Sequence, residues 1–173
     1  MKIYYDTAPI IMFISLKDRS HEYSPFNQDI DPYISFITLE EALHVLFSKK
    51  AYKYWYPNIE KRDAYEIFVQ DLLKTCNILE EDINSYNLVL KLLDNIKILN
   101  DNYNYINKIK PYSNLPGFMD LIHFILADEF CEIFVTTDKA FEKIKEIRTK
   151  NLKKIVLLDE KDLKLIDEIP LRR

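Results

Sequence analysis

Two apolar runs in this chain end on an aspartate, and each aspartate stands directly before the start of a helical stretch. Ile3-Tyr4-Tyr5 leads into Asp6, and Ile133-Phe134-Val135-Thr136-Thr137 leads into Asp138. A short, continuous apolar run bounded in this way reads as a strand buried on both faces. Strands that alternate with helices pair in parallel and are joined by right-handed crossovers. In an open parallel sheet, ligands bind outside the carboxyl ends of the strands. The pattern therefore predicts an α/β fold and puts both aspartates at the edge where such folds do chemistry.

The rest of the chain extends this reading. Residues 2–5 form the first strand, and Thr7 is the expected N-cap of a helix to about Lys17, with Pro9 in its first turn. Residues 19–32 are polar, contain Pro25 and Pro32, and read as a loop. A short strand is expected over Tyr33–Ile37. Thr38-Leu39-Glu40-Glu41 then reads as a capping box, with Thr38 as cap and Glu41 as the third helical residue. Pro116-Gly117 restarts regular structure, and a helix follows over 118–130. After the strand that ends before Asp138, an amphipathic helix is expected over 139–150, a strand over Lys154–Leu158 and a short closing helix over 160–168.

Residues 51–115 differ from the flanks. They hold eight of the 12 tyrosines and the single tryptophan, Trp55. Helical periodicity is clear over 60–75 and 80–93, whereas 95–114 is rich in Asn and Tyr and poorly periodic. The expectation is one domain over 1–173 with a helical insertion at about 51–115.

Composition excludes several classes. The chain of 173 residues is 48% hydrophobic and 30% charged, enough for a core and a solvated surface, and its net charge of −4 argues against a basic nucleic-acid coat protein. Cys76 and Cys131 lie in apolar surroundings and read as free buried thiols, which points to a reducing, cytoplasmic setting. No signal peptide and no membrane-spanning run is apparent. Gly117 is the only glycine, so a phosphate-cradling glycine loop and a dinucleotide fingerprint are excluded.

Four acids open or close these elements: Asp6, Glu41, Asp120 and Asp138. Each has a bland reading as a helix cap or first-turn acid. Asp159 also ends an apolar run and reads as a plain cap, so a strand-end aspartate alone is not diagnostic. Together, however, four carboxylates converging at one sheet edge repel each other unless positive charge lies between them. A divalent cation with oxygen ligands meets that need.

The segment Ile3-Tyr4-Tyr5-Asp6-Thr7-Ala8-Pro9-Ile10-Ile11 resembles the opening of the PIN-domain family, in which an apolar strand ends in Asp-Thr or Asp-Ser and leads into a helix. Ile37-Thr38-Leu39-Glu40-Glu41-Ala42-Leu43-His44-Val45-Leu46 resembles the family's second motif and selects Glu41 over Glu40. Asp120 with the helix to Ala127 resembles the third motif, and Val135-Thr136-Thr137-Asp138-Lys139-Ala140-Phe141 the Thr-x-Asp-x-x-Phe segment. The resemblance covers residues 1–50 and 117–160. It implies a three-layer αβα fold around a parallel sheet of 4–5 strands, with the arm at 51–115 as a departure. It also implies a magnesium- or manganese-dependent endoribonuclease, with Asp6, Glu41, Asp120 and Asp138 as metal-binding catalytic residues and Thr7 and Thr136 supporting them. Many members are toxins of the VapC type, so RNA and an antitoxin protein are the implied partners. The alternative is a catalytically weak PIN-fold module that binds RNA or protein.

Other signals are weaker. Lys143, Lys145 and Arg148, continued by Lys150, Lys153 and Lys154, read either as a rail for RNA phosphates or as a solvated face. Tyr52, Tyr54, Trp55 and Tyr56 form an aromatic cluster expected first to pack the arm, then to serve an interface such as a homodimer, and last to stack bases. His44 and His123 each follow an acid by three residues, which is also the spacing of di-iron carboxylate bundles. The strand–helix alternation contradicts that fold, and both histidines are expected at the core margin.

Overall fold

The computed structural model describes residues 1–16, 19–56, 59–85, 87–92 and 116–172. The core is a six-stranded sheet in the order β3-β2-β1-β4-β5-β6. The strands are β1 (Lys2–Tyr5), β2 (Asp31–Ser35), β3 (Asn77–Leu79), β4 (Ile133–Thr136), β5 (Lys154–Leu158) and β6 (Leu165–Pro170). The first five pair in parallel, and β6 runs antiparallel to β5 at the edge. The sheet holds two strands more than the four read along the sequence, because neither β3 nor β6 was read as a strand.

Alternation along the strands explains the layers. Ile3, Tyr5, Val135, Val156 and Leu158 face one side and join the cluster built by the helices α1 (Thr7–Leu16), α2 (Phe36–Phe47), α3 (Lys49–Trp55) and α4 (Lys61–Glu66). Tyr4, Phe134, Ile155 and Leu157 face the other side, against α5 (Phe118–Phe130) and the 3₁₀ segment Lys139–Ile144. Successive strand residues point to opposite faces, so strands that are apolar throughout need helices on both sides. The central strands satisfy this: β4 and four of the five residues of β5 are buried.

Local chemistry accounts for the departures from the expected boundaries. Helix α2 starts before Thr38, because the Ser35 hydroxyl accepts from Thr38 N at 3.1 Å and caps the helix. Thr38 is therefore the third helical residue, and β2 ends at Ser35. Likewise α1 begins at Thr7, and Asp6 accepts its N–H. Within 51–115, α4 runs into a π-helical segment (Ile67–Leu72) and a last turn (Leu73–Thr75), after which β3 joins the main sheet. Residues 83–85 and 87–92 are helical. The Asn- and Tyr-rich stretch read over 95–114 lies outside the described residues. The aromatic cluster divides: Tyr56 is buried and stacks on Tyr52, whereas Tyr54 is exposed.

The helix expected over 139–150 is only the 3₁₀ segment Lys139–Ile144. Phe141 and Ile144 are buried, and a three-residue spacing of apolar anchors fits the tighter helix. The closing helix expected over 160–168 is instead a turn into β6. Asp159 accepts from Lys161 N, and Leu163 takes a left-handed conformation (φ 56°) with its side chain fully buried. Such a backbone costs about 1–3 kcal/mol, and burying the leucine offsets a similar amount.

Candidate active site at the carboxyl end of the central strands

The two central strands deliver Asp6 and Asp138 to neighbouring positions. Asp6 N donates to Val135 O at 3.0 Å, which carries the β1–β4 ladder one residue past β1. The side chain of Asp6 is nearly buried and fully engaged. Its Oδ1 accepts from Thr7 N at 2.7 Å and its Oδ2 from the Thr136 hydroxyl at 2.7 Å. Thr136 in turn accepts from Asp138 N at 3.0 Å. One buried hydroxyl therefore holds the Asp6 carboxylate and the backbone of Asp138 in fixed relation. Asp138 Oδ1 caps the 3₁₀ segment by accepting from Ala140 N at 2.8 Å, so its bland role is real and leaves the other oxygen out of that bond.

Asp120 arrives from the opposite layer, in the first turn of α5. Its Oδ2 accepts from Gly117 N at 2.7 Å. A Cβ on residue 117 would stand 2.9 Å from that oxygen, so a larger residue there would push the carboxylate aside. The Asp120 carboxyl is held above its ordinary range. Burial is the main cause, the Gly117 N–H opposes it, and the charges of Asp6 and Asp138 push further in the same direction as burial. Asp6, Asp120 and Asp138 thus share one electrostatic neighbourhood.

Glu41 stands apart from this trio. It is exposed on α2, and its Oε2 accepts a short hydrogen bond from the Thr7 hydroxyl. Thr7 links it to Asp6 through the backbone N–H already described. Thr7 and Thr136 therefore both contact site carboxylates. Lys143 and Lys145 are exposed on and just after the 3₁₀ segment. Arg148 is also exposed, but it pairs its backbone with Arg172, past the end of β6 that lies against Lys154. It therefore stands at the amino end of the sheet, away from the acids, which contradicts the expected rail. Lys153 and Lys154 lie at that same end, where Lys153 pairs with Glu132 and Lys154 with Glu168.

Three further residues at this end were given no part in the site by the sequence reading. Glu81 accepts from Ile37 N at 3.0 Å in the first turn of α2. Gly117 sets the position of Asp120. His123 is 1% exposed, in the core rather than at its margin. Its Nε2 is 3.9 Å from Asp6 Oδ1, and its Nδ1 is 2.8 Å from the Tyr4 hydroxyl. His44, by contrast, is exposed near the end of α2. The spacing Asp120-x-x-His123 puts both side chains on one helix face, and Tyr4-x-Asp6 puts both on one strand face. These spacings were the available signal for the contact.

Among the described residues, no three His, Cys, Asp or Glu side chains converge closely enough to coordinate one ion as they stand. The donor chemistry nevertheless fits a hard divalent cation, because the acids offer oxygen only.

No family model matches this chain, and no curated protein matches it. A solved structure of VapBC2 from Rickettsia felis, bound to a DNA fragment from its promoter, is similar at 17% identity and a TM-score of 0.45, covering 83% of this chain and 93% of that one.

Proposed function

We propose that the protein is a metal-dependent endoribonuclease that hydrolyses RNA phosphodiester bonds with Mg²⁺ or Mn²⁺. The observation that carries this reading is that two strand ends deliver Asp6 and Asp138 to one buried hydroxyl, Thr136, with Asp120 near enough to feel both charges. The motif resemblance to PIN domains at the same residues gives the reaction class. Asp6, Asp120 and Asp138 would hold the cation, with Glu41 reaching it from α2. Bound there, the ion would activate water and offset the charge that builds on the phosphate. Thr136 keeps the Asp6 and Asp138 strand ends in register, and Thr7 does the same for Asp6 and Glu41. Lys143 and Lys145 are the cations proposed to meet RNA phosphates.

The test is cleavage of a single-stranded RNA oligonucleotide with Mn²⁺ and with EDTA. The expected result is activity only with metal, leaving 5′-phosphate and 3′-hydroxyl ends. Products bearing 2′,3′-cyclic phosphate, formed in EDTA, would overturn the assignment. A second reading, a catalytically weak module that binds RNA or protein, draws on one observation: the acids are engaged with local donors and no three of them close on a point. RNA binding without cleavage would favour it.

A toxin role, with an antitoxin as partner and the cytoplasm as setting, belongs to the same proposal. So does a homodimer. The exposed Phe47, Tyr54 and Tyr65 on α2, α3 and α4 are the side chains through which a protein partner would pack. Light scattering that shows only monomer at micromolar concentration would remove the homodimer.

A further inference from the structure

Beneath the acids lies a polar chain sealed from solvent. Tyr4, Ser35, Thr38 and His123 are each between 0% and 1% exposed. The Ser35 hydroxyl lies 3.3 Å from the Thr38 hydroxyl and 3.4 Å from His123 Nδ1. The Tyr4 hydroxyl lies 2.8 Å from the same Nδ1. The far side of the imidazole faces a carboxylate, with Nε2 3.9 Å from Asp6 Oδ1.

Burying four polar side chains costs free energy unless every one is satisfied, and apolar residues would fill the same space. The direction of the chain suggests what it does. A nitrogen that faces a carboxylate is favoured as N–H. With the proton on Nε2, Nδ1 is the acceptor, and the Tyr4 hydroxyl donates to it. The hydroxyls thereby select the tautomer that turns an N–H dipole toward Asp6. The other atoms around Asp6, Thr7 N and Thr136 Oγ1, hold it from the sides of β1 and β4. His123 approaches from α5, the helix that also carries Asp120.

We propose that His123 is a positioning residue for Asp6, oriented by Tyr4 and Ser35, and that it couples the Asp6 carboxylate to the helix that presents Asp120. This rests on the metal-dependent reading above. In metal sites such outer partners set ligand orientation, and their loss lowers metal affinity by about 10–100-fold.

The experiment compares His123→Leu, His123→Gln and Tyr4→Phe with the full-length wild type, reading Mn²⁺ affinity by calorimetry and thermal melting in metal-free buffer. His123→Leu should bind Mn²⁺ about 10–100-fold more weakly. His123→Gln, whose amide N–H can face Asp6, should recover most of the loss, and Tyr4→Phe should fall between wild type and His123→Leu. A role in packing alone would shift the melting temperature and leave Mn²⁺ affinity unchanged, which overturns the proposal. If His123→Leu does not fold, Tyr4→Phe decides, and unchanged affinity there overturns it equally. Wild-type protein that binds no Mn²⁺ overturns both this inference and the metal-dependent function. Wild-type binding with unaltered affinity in the variants removes this inference alone.

Discussion

The two ends of the sheet treat their acids in opposite ways. At the amino end of β4 and β5, Glu132 pairs with Lys153, and Glu168 accepts from both Lys154 and Tyr23. Hydrogen bonds from Lys154 and Tyr23 hold the Glu168 carboxyl below its ordinary range. At the carboxyl end, Asp120 is held above it by burial and by neighbouring acids. The first arrangement stabilises the charged form. The second penalises it, and persists only because the fold holds the acids there. Paired charges lie at one edge and neighbouring like charges at the other, and the second edge is where a cation is proposed to bind.

Neutralising one acid at the crowded end puts this contrast to the hardest test. Asp138→Asn should lower Mn²⁺-dependent RNA cleavage on the order of 100-fold or more, with the far-UV spectrum unchanged. Full activity in that variant would end the claim that the carboxyl end is catalytic. Gly117→Ala should come next. The added Cβ displaces the Asp120 carboxylate, and Mn²⁺ affinity measured by calorimetry should fall by about tenfold. Affinity at the wild-type level would show that the contact between Gly117 and Asp120 does not set the ion's position.

Stability gives a smaller but sharper reading, because the two ends should respond to pH with opposite sign. The raised carboxyl of Asp120 means that the folded protein binds a proton more readily than the unfolded chain, whose value is near 3.8. Its charge therefore destabilises the fold at neutral pH, and the penalty fades as pH falls through the folded value. Asp120→Asn should melt higher than wild type at pH 7, and the gain should vanish in acid. The lowered carboxyl of Glu168 does the reverse. It contributes stability above its unfolded value near 4.5, lost as pH falls through the lower folded value. Glu168→Gln should melt slightly lower than wild type at pH 7, by an amount typical of a partly exposed pair, about 0.2–1 kcal/mol. Shifts of the same sign in both variants would break the comparison. The smallest effect belongs to His44→Ala. That exposed side chain should change neither Mn²⁺ affinity nor melting.

Much of this architecture was legible before the structure. The parallel pairing of β1, β2, β4 and β5 follows from apolar runs separated by helical stretches, and periodicity located α2, α4 and α5. The errors fall where tertiary context outweighs local pattern. β3 is three residues long, and its neighbours are helical, so nothing local announces a strand; it exists because β2 offers it a partner. β6 alternates poorly and is mostly exposed, yet β5 would otherwise be an open edge. The capping box at Thr38 looked complete, but Ser35 stood three residues earlier and took the cap.

For the site the division is similar. Strand-end position and the Thr-x-Asp spacing made Asp6, Thr136 and Asp138 readable as neighbours, because backbone alternation dictates which face each side chain takes. Asp120 was readable from local pattern only as a first-turn acid and entered the site through the motif resemblance, since its distance from Asp6 depends on how α5 packs across the sheet. The burial of His123 was not readable at all. Three residues after an acid on a helix, a histidine can sit in solvent or in the core, and the packing of α5 on Tyr4 and Phe134 decides between them. The sequence by itself determined the parallel strands β1, β2, β4 and β5, the helices α1, α2 and α5 between them and the placing of acids at strand ends, which are local consequences of polarity and backbone geometry. Only the tertiary structure decided which acids share a field and which histidine faces them, because electrostatics and burial depend on distances between segments far apart in the chain.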